Sequence, residues 1–168
     1  MSQEPCAHPA AVITVSDRCA RGVVADRSGP ELARLATASG LGPVRRMLVP
    51  DGVDSVRAAL LEAILSGAHV VLTTGGTGVG PRDLTPEATG PVLTQELPGI
   101  AEEIRRRGAA ATPAALLSRG CAGLATRPDG GRSLIVNLPG SMGAVRDGWA
   151  VLGPLIGHLM DQLAGGDH

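Results

Sequence analysis

Residues 70–89, VVLTTGGTGVGPRDLTPEAT, leave the chain few ways to fold. Val70, Val71 and Leu72 form a wholly apolar, β-rich run, as expected of a strand buried on both faces of a parallel sheet. The run passes directly into Gly75, Gly76, Gly78 and Gly80, positions where the backbone can turn its amides toward a ligand. Arg82 and Asp83 follow, and Thr85-Pro86-Glu87 has the form of a helix start, with proline early and an acid in the first turn. Strand, glycine turn and helix in that order belong to an α/β fold, whose ligands sit at the C-terminal ends of the strands. This stretch therefore reads as an anion-binding loop for a phosphorylated small molecule.

Strand and helix signals alternate along the rest of the chain. Residues 10–16, AAVITVS, predict a buried strand that delivers Ser16, Asp17 and Arg18 to its end. A loop containing Gly22, Asp26, Arg27 and Gly29 follows, and Ser28 with Glu31 reads as a capping box for a helix that stops at Gly40. Residues 44–50 predict a second strand, followed by Asp51 and a helix over 53–65, where Val53, Val56, Leu60 and Ile64 keep helical spacing. By position alone Asp51 has two readings, a helix N-cap or turn residue and a functional carboxylate. After the glycine stretch the pattern predicts a helix over 97–107 and a hairpin over 121–138, with an edge strand, an Asp129-Gly130-Gly131 turn and a last buried strand. A long helix from Ser141 to about residue 163, containing Trp149, closes the pattern. The sum is one domain over 10–164 after a disordered tail at 1–9, with a mostly parallel sheet covered on both faces.

Composition removes several classes of function. Fifteen arginines and no lysine stand against 16 acidic residues, and the one basic run, Arg105-Arg106-Arg107, reads as a solvated helix face. With no Phe or Tyr and a single Trp there are few platforms on which bases could stack, so nucleic acid is not an expected partner. The absence of lysine excludes any mechanism that needs a catalytic lysine. No apolar run approaches the roughly 20 residues that span a bilayer, so no membrane is expected. Cys6, Cys19 and Cys121 are an odd set without paired spacing and no signal-like segment opens the chain, which predicts a reduced, cytoplasmic protein. Cys6 and His8 fall in the predicted tail without a second ligand pair, which argues against a metal there.

Four segments converge at one edge of such a sheet: 16–18, Asp51, 75–83 and 137–141. Residues 75–80 match the first half of a P-loop, but Pro81 and Arg82 stand where lysine and a hydroxyl are required, so a P-loop NTPase is excluded. A dinucleotide fingerprint fails as well, because no glycine stands at 81. Asp51 and Asp83 would repel phosphate unless a cation intervenes, and Mg²⁺ is held by one or two carboxylates with substrate phosphates and water. Paired aspartates beside a glycine loop thus imply a metal-nucleotide site for phosphoryl or nucleotidyl transfer. Arg82 is placed to neutralise charge on the transferring phosphorus or to pair with a carboxylate.

With these residues in view, the chain resembles the molybdopterin adenylyltransferases, the MogA/MoaB type of molybdenum cofactor biosynthesis protein related to gephyrin and plant Cnx G domains. The resemblance runs from about Ala10 to Leu163. It is carried by VSDR with DRSGP downstream, VPD at 49–51, TTGGTGVGPRDLTPEAT at 73–89, LPG at 97–99, LLSRGCAG at 116–123 and NLPGS at 137–141. It implies a three-layer α/β/α fold with an antiparallel edge hairpin, a homotrimer, and transfer of AMP from Mg-ATP to the terminal phosphate of molybdopterin, with a molybdenum insertase downstream. The family's essential aspartates correspond to Asp51 and Asp83, which would hold Mg²⁺. Gly75, Gly76, Thr77 and Gly78 correspond to its ligand-cradling loop, and Ser16 and Asp17 to its first-strand loop. Ser118, Asn137, Pro139 and Gly140 correspond to further pocket contacts, and Arg18, Ser28, Arg82 and Ser141 complete the candidate binding set. Where many members carry an acid after the VPD aspartate, this chain has Gly52. The alternative function is a molybdopterin-binding assembly protein of the MoaB branch without turnover.

Overall fold

The computed structural model describes residues 8–165. Twelve elements carry the architecture: β1 (His8–Val15), α1 (Asp17–Ala20), α2 (Ser28–Ala38), β2 (Leu41–Val49), α3 (Val53–Leu65), β3 (Val70–Thr74), α4 (Thr85–Thr89), β4 (Gln95–Glu96), α5 (Pro98–Ala111), β5 (Ala122–Thr126), β6 (Arg132–Leu138) and α6 (Met142–Leu163). The strands form one sheet in the order β2-β1-β3-β6-β5-β4. β2, β1, β3 and β6 run parallel, while β5 and β4 are antiparallel to their neighbours at one side. The expected mostly parallel sheet, with antiparallel strands at one edge, is thus what forms.

Alternation along the central strands sends side chains into two separate cores. Ala10, Val12, Leu72, Leu134, Val136 and Leu138 face α2, α5 and α6, where Leu32, Ile104, Val145, Trp149 and Leu152 close over them. Ala11, Ile13, Val15, Val71 and Ile135 face α3, meeting Val56, Leu60 and Ile64. Leu72, Ile13 and Leu60 are fully buried, each such side chain contributing about 1.5–3 kcal/mol. With few aromatic groups available, close approach does the filling: a Cβ on Gly148 of α6 would lie 2.2 Å from Leu138 Cδ2. The lone indole caps the α2 side, where Trp149 Nε1 donates to Ser39 Oγ at 3.3 Å.

Several boundaries differ from the sequence expectation, each for a local reason. His8 and Pro9, assigned to the tail, belong to β1, because His8 pairs in register with Leu41 and Pro9 O accepts from His69 N. The rest of the expected tail, residues 1–7, and the last three residues lie outside the described residues. The Ser28/Glu31 capping box does not form. Asp26 Oδ1 takes the Gly29 N–H at 3.0 Å, so Ser28 lies inside the helix, and Glu31 is drawn to Arg34 and Arg146. The hairpin's outer strand β5 is not the sheet edge, since two residues of β4 pair with its free side. Asp51 is not the N-cap of α3, where Gly52 stands with φ +136°.

Candidate active site

Residues 14, 74 and 138 of β1, β3 and β6 lie side by side in the ladder, and Val15 pairs with Val49 of β2. The loops that follow these strands therefore leave the sheet at one edge, which is the predicted convergence. In the order 2-1-3, β1 lies between the strands that follow it, so successive connections depart in opposite directions. Such a switch point opens the crevice that ligands occupy in doubly wound sheets.

The glycine loop is seated deeply in that crevice. Gly75 has φ +104° and donates to Leu138 O at 2.9 Å, and a Cβ there would lie 2.2 Å from Val15 O. Gly76 has φ +65°, and its missing Cβ makes room for Thr85 Oγ1, only 2.4 Å from where it would stand. Thr85, which sequence reading treated only as a helix start, donates from Oγ1 to Gly75 O and from N to Gly76 O, both at 3.0 Å. These bonds consume the first two carbonyls of the loop. The N–H groups of Gly76, Thr77, Gly78 and Val79 meet no acceptor among the described residues. A loop with committed carbonyls and uncommitted amides is an anion cradle.

Carboxylates flank the cradle. Asp51 Oδ2 accepts the Asp17 N–H at 2.8 Å, and Asp17 Oδ1 accepts the Asp51 N–H at 3.2 Å, a reciprocal pair that ties the β1 and β2 loops together. Asp17 also accepts from Arg82 Nε at 2.5 Å, and Arg82 Nη2 reaches Asp51 O at 3.3 Å. The Arg82 hydrogen bond holds the Asp17 carboxyl below the usual carboxylate range, and the same contact raises the arginine. Of the two sequence readings of Arg82, carboxylate pairing is the one seen. Asp83 Oδ2 accepts the Gly80 N–H at 3.0 Å and lies 2.8 Å from where a Cβ on either Gly78 or Gly80 would stand.

Asp51 Oδ1 and Asp83 Oδ1 accept no hydrogen bond among the described residues. Asp51 Oδ1 lies 3.4 Å from the missing Cβ of Gly76, so both carboxylates border the same loop. The described residues contain no cluster of three or more His, Cys, Asp or Glu able to enclose a metal. A nucleotide-borne Mg²⁺ needs only one or two carboxylates, and this donor set fits it.

The other predicted residues divide. Ser16, Ser28 and Gly140 line a cleft of about 300 Å³ on the α2 and α6 side of the crevice, together with Thr14, Arg27 and Thr74. Ser16 Oγ also caps α1, and Ser141 Oγ caps α6 through the Ala144 N–H at 3.1 Å. Ser118 Oγ meets Thr77 Oγ1 at 3.2 Å, at the rim of the cradle. Pro139 O accepts from Thr74 Oγ1, and Arg18 is exposed. Asn137 is buried with both ends committed: Nδ2 donates to Thr73 Oγ1 and Thr89 Oγ1 at 3.0 Å, and Oδ1 accepts from Cys121 N. It braces β3 and β6 against α4 and points no free polar atom at a ligand.

Three comparisons with known proteins agree. Residues 11–158 match the family described as "Probable molybdopterin binding domain". The molybdenum cofactor biosynthesis bifunctional protein of Synechococcus elongatus is 40% identical over 95% of the chain, and the chain spans about half of that relative's length (48%). The molybdopterin adenylyltransferase of Helicobacter pylori is 34% identical, over 92% of the chain and 86% of the relative. Among solved structures, the molybdopterin biosynthesis Mog protein from Mycobacterium ulcerans superposes with a TM-score of 0.86 at 43% identity, covering 94% of this chain and 99% of that one.

Proposed function

The chain belongs to the molybdopterin-binding domain family of molybdenum cofactor biosynthesis, and we propose that it transfers AMP from Mg-ATP to the terminal phosphate of molybdopterin. The observation that carries this reading is the cradle: free amides at 76–79 bordered by Asp51 and Asp83, on a chain similar over most of its length to a molybdopterin adenylyltransferase.

In this reading an oxygen of the pterin phosphate attacks the α-phosphorus of ATP, the α–β bridging bond breaks, and pyrophosphate leaves with the electron pair. The attacking phosphate is already ionised near neutral pH, so no protein nucleophile or strong base is required. Alignment of the reactants and stabilisation of charge provide the rate. The cradle amides donate to phosphate oxygens, and the Asp17–Asp51 pair holds two strand-end loops at a fixed separation. The Oδ1 atoms of Asp51 and Asp83 would hold Mg²⁺, which when bound draws charge from the reacting phosphates. Asn137 keeps β3 and β6 in register beneath the loop.

The expected assembly is a homotrimer handing its product to a molybdenum insertase. Apolar residues exposed beside α5 and α6, among them Leu155 at 42% exposure, support a subunit contact. Free thiols at Cys19 and Cys121, with no described helix long and apolar enough to cross a membrane, support a cytoplasmic setting. Incubation of the purified chain with molybdopterin, ATP and Mg²⁺ should give adenylylated molybdopterin by mass and pyrophosphate in equal amount. Pterin binding without either product would instead assign the non-catalytic role.

A further inference from the structure

We propose that Arg119 is the positioning residue that sets the shape of the 76–83 loop, with Glu87 as its counter-ion, a role that rests on the adenylyl-transfer reading for its effect on turnover. Arg119 lies 36 residues from Asp83 in sequence, and its side chain is 38% exposed, the profile of an ordinary surface arginine. Its contacts are not ordinary. The main-chain N–H of residue 119 donates to Thr77 O at 2.7 Å whatever the side chain, and the side chain adds Nε, which donates to Gly78 O at 2.8 Å. Nη2 donates to Asp83 O and, at 3.4 Å, to Glu87 Oε2, while Nη1 donates to Glu87 Oε1. Thus one residue grips three successive parts of the loop and the first turn of α4.

The consequence for the cradle follows from peptide geometry. In a trans peptide the carbonyl and the next N–H point in opposite directions. With the Thr77 and Gly78 carbonyls turned to Arg119, the Gly78 and Val79 N–H groups must face the other way, as two of the four uncommitted cradle donors. Fixing the Asp83 carbonyl likewise limits the directions its carboxylate can take, and Gly80 N–H holds the carboxylate itself. The grip is braced from behind, since Arg105 Nη1 donates to Gly120 O at 2.9 Å and anchors the 118–120 segment to α5.

Stoichiometry separates this role from phosphate binding. A guanidinium has five N–H donors, and four are spent here: Nε on Gly78, Nη1 on Glu87, and both of Nη2 on Asp83 and Glu87. A lysine ammonium lacks the planar fork and cannot span the same acceptors. The Glu87 carboxylate, held below its usual range by the arginine, keeps the fork turned away from the crevice.

The test uses the full chain in four forms: parent, Arg119→Ala, Arg119→Lys and Glu87→Gln. Hydrogen exchange is read at the Asp83 and Thr85 amides, which donate to Gly80 O and Gly76 O. Arg119→Ala should speed exchange there at least tenfold while the β1 and β3 amides stay unchanged, and Arg119→Lys should not restore protection. AMP transfer should show kcat down 10- to 100-fold, with KM for ATP within threefold. Glu87→Gln, which keeps the arginine, should move both readouts the same way to a lesser degree. Unchanged exchange at Asp83 and Thr85 in Arg119→Ala, or faster turnover in Glu87→Gln as a phosphate-binding arginine would give, overturns the proposal. If Arg119→Ala does not fold, Glu87→Gln alone decides. A parent chain that forms no adenylylated pterin overturns the adenylyl-transfer reading, while the exchange result still judges the loop's dependence on Arg119.

Discussion

Replacing Gly75 by alanine tests the geometry on which the cradle depends. Gly75 is buried with φ +104°, a region that costs a side-chain-bearing residue about 1–3 kcal/mol. The new methyl would also stand 2.2 Å from Val15 O and 3.3 Å from Val15 C, main-chain atoms of a central strand that cannot rotate aside. Overpacking of this kind costs a further 1–3 kcal/mol or so. The two together predict a loss of about 4 kcal/mol, nearly a thousandfold in the folding equilibrium and roughly 8–16 °C in Tm for a chain of this size. Gly78→Ala is the internal control. Its φ is not positive, and the new methyl would meet the Asp83 carboxylate, 2.8 Å from Oδ2 and 3.5 Å from Cγ, a side chain that can give way where a strand's main chain cannot. Stability should then change by less than about 1 kcal/mol, while AMP transfer falls because Asp83 is displaced. Urea denaturation and calorimetry at one fixed protein concentration read the first quantity, and pyrophosphate release reads the second. A Gly75→Ala protein within about 1 kcal/mol of the parent, or one more stable than Gly78→Ala, would refute the reasoning.

Asp83→Asn should abolish AMP transfer in folded protein while pterin binding by calorimetry persists; unchanged turnover would remove Asp83 from the chemistry. Asn137→Ala should cost about 2–4 kcal/mol in urea denaturation, because the hydroxyls of Thr73 and Thr89 and the Cys121 N–H lose a buried partner, and a near-neutral change would contradict a bracing role. Glu31 links α2 to α6 through Arg146, and its hydrogen bonds to Arg34 and Arg146 lower its pKa from 4.5 to about 2. Since the folded pKa is the depressed one, its contribution is present above pH 4.5 and fades as pH falls toward 2. Glu31→Gln should therefore lower stability at neutral pH and flatten the acid limb of a denaturation midpoint series, with the two proteins converging near pH 2.

The strongest sequence signals were those generated by chain-local physics. A run of Val70, Val71 and Leu72 can be satisfied only between two covered faces, and both predicted layers are present. Glycines at 75 and 76 are explained by positive φ, a property of the residue itself. Where the structure departs from the sequence reading, a competing group stood nearer, a close neighbour in one case and a distant strand in the other. Asp26 reached the Gly29 amide before Ser28 could cap the helix, and a two-residue β4 covered the strand taken for the edge. Arg82 and Asn137 show the limit for site residues: each has the chemistry of a ligand contact, yet Asp17 holds the one and Thr73 and Thr89 the other.

The amino-acid sequence by itself thus determined the α/β layering, the glycine turn at a strand end and the need for charged groups beside it, because these follow from periodicity and residue chemistry within short windows. Only the tertiary structure decided which groups meet. Asp17 facing Asp51 across 34 residues, and Arg119 gripping a loop 36 residues away from its own position, depend on parallel strands ending together at one edge. No window of sequence carries the distance between two loops that only a shared sheet brings side by side.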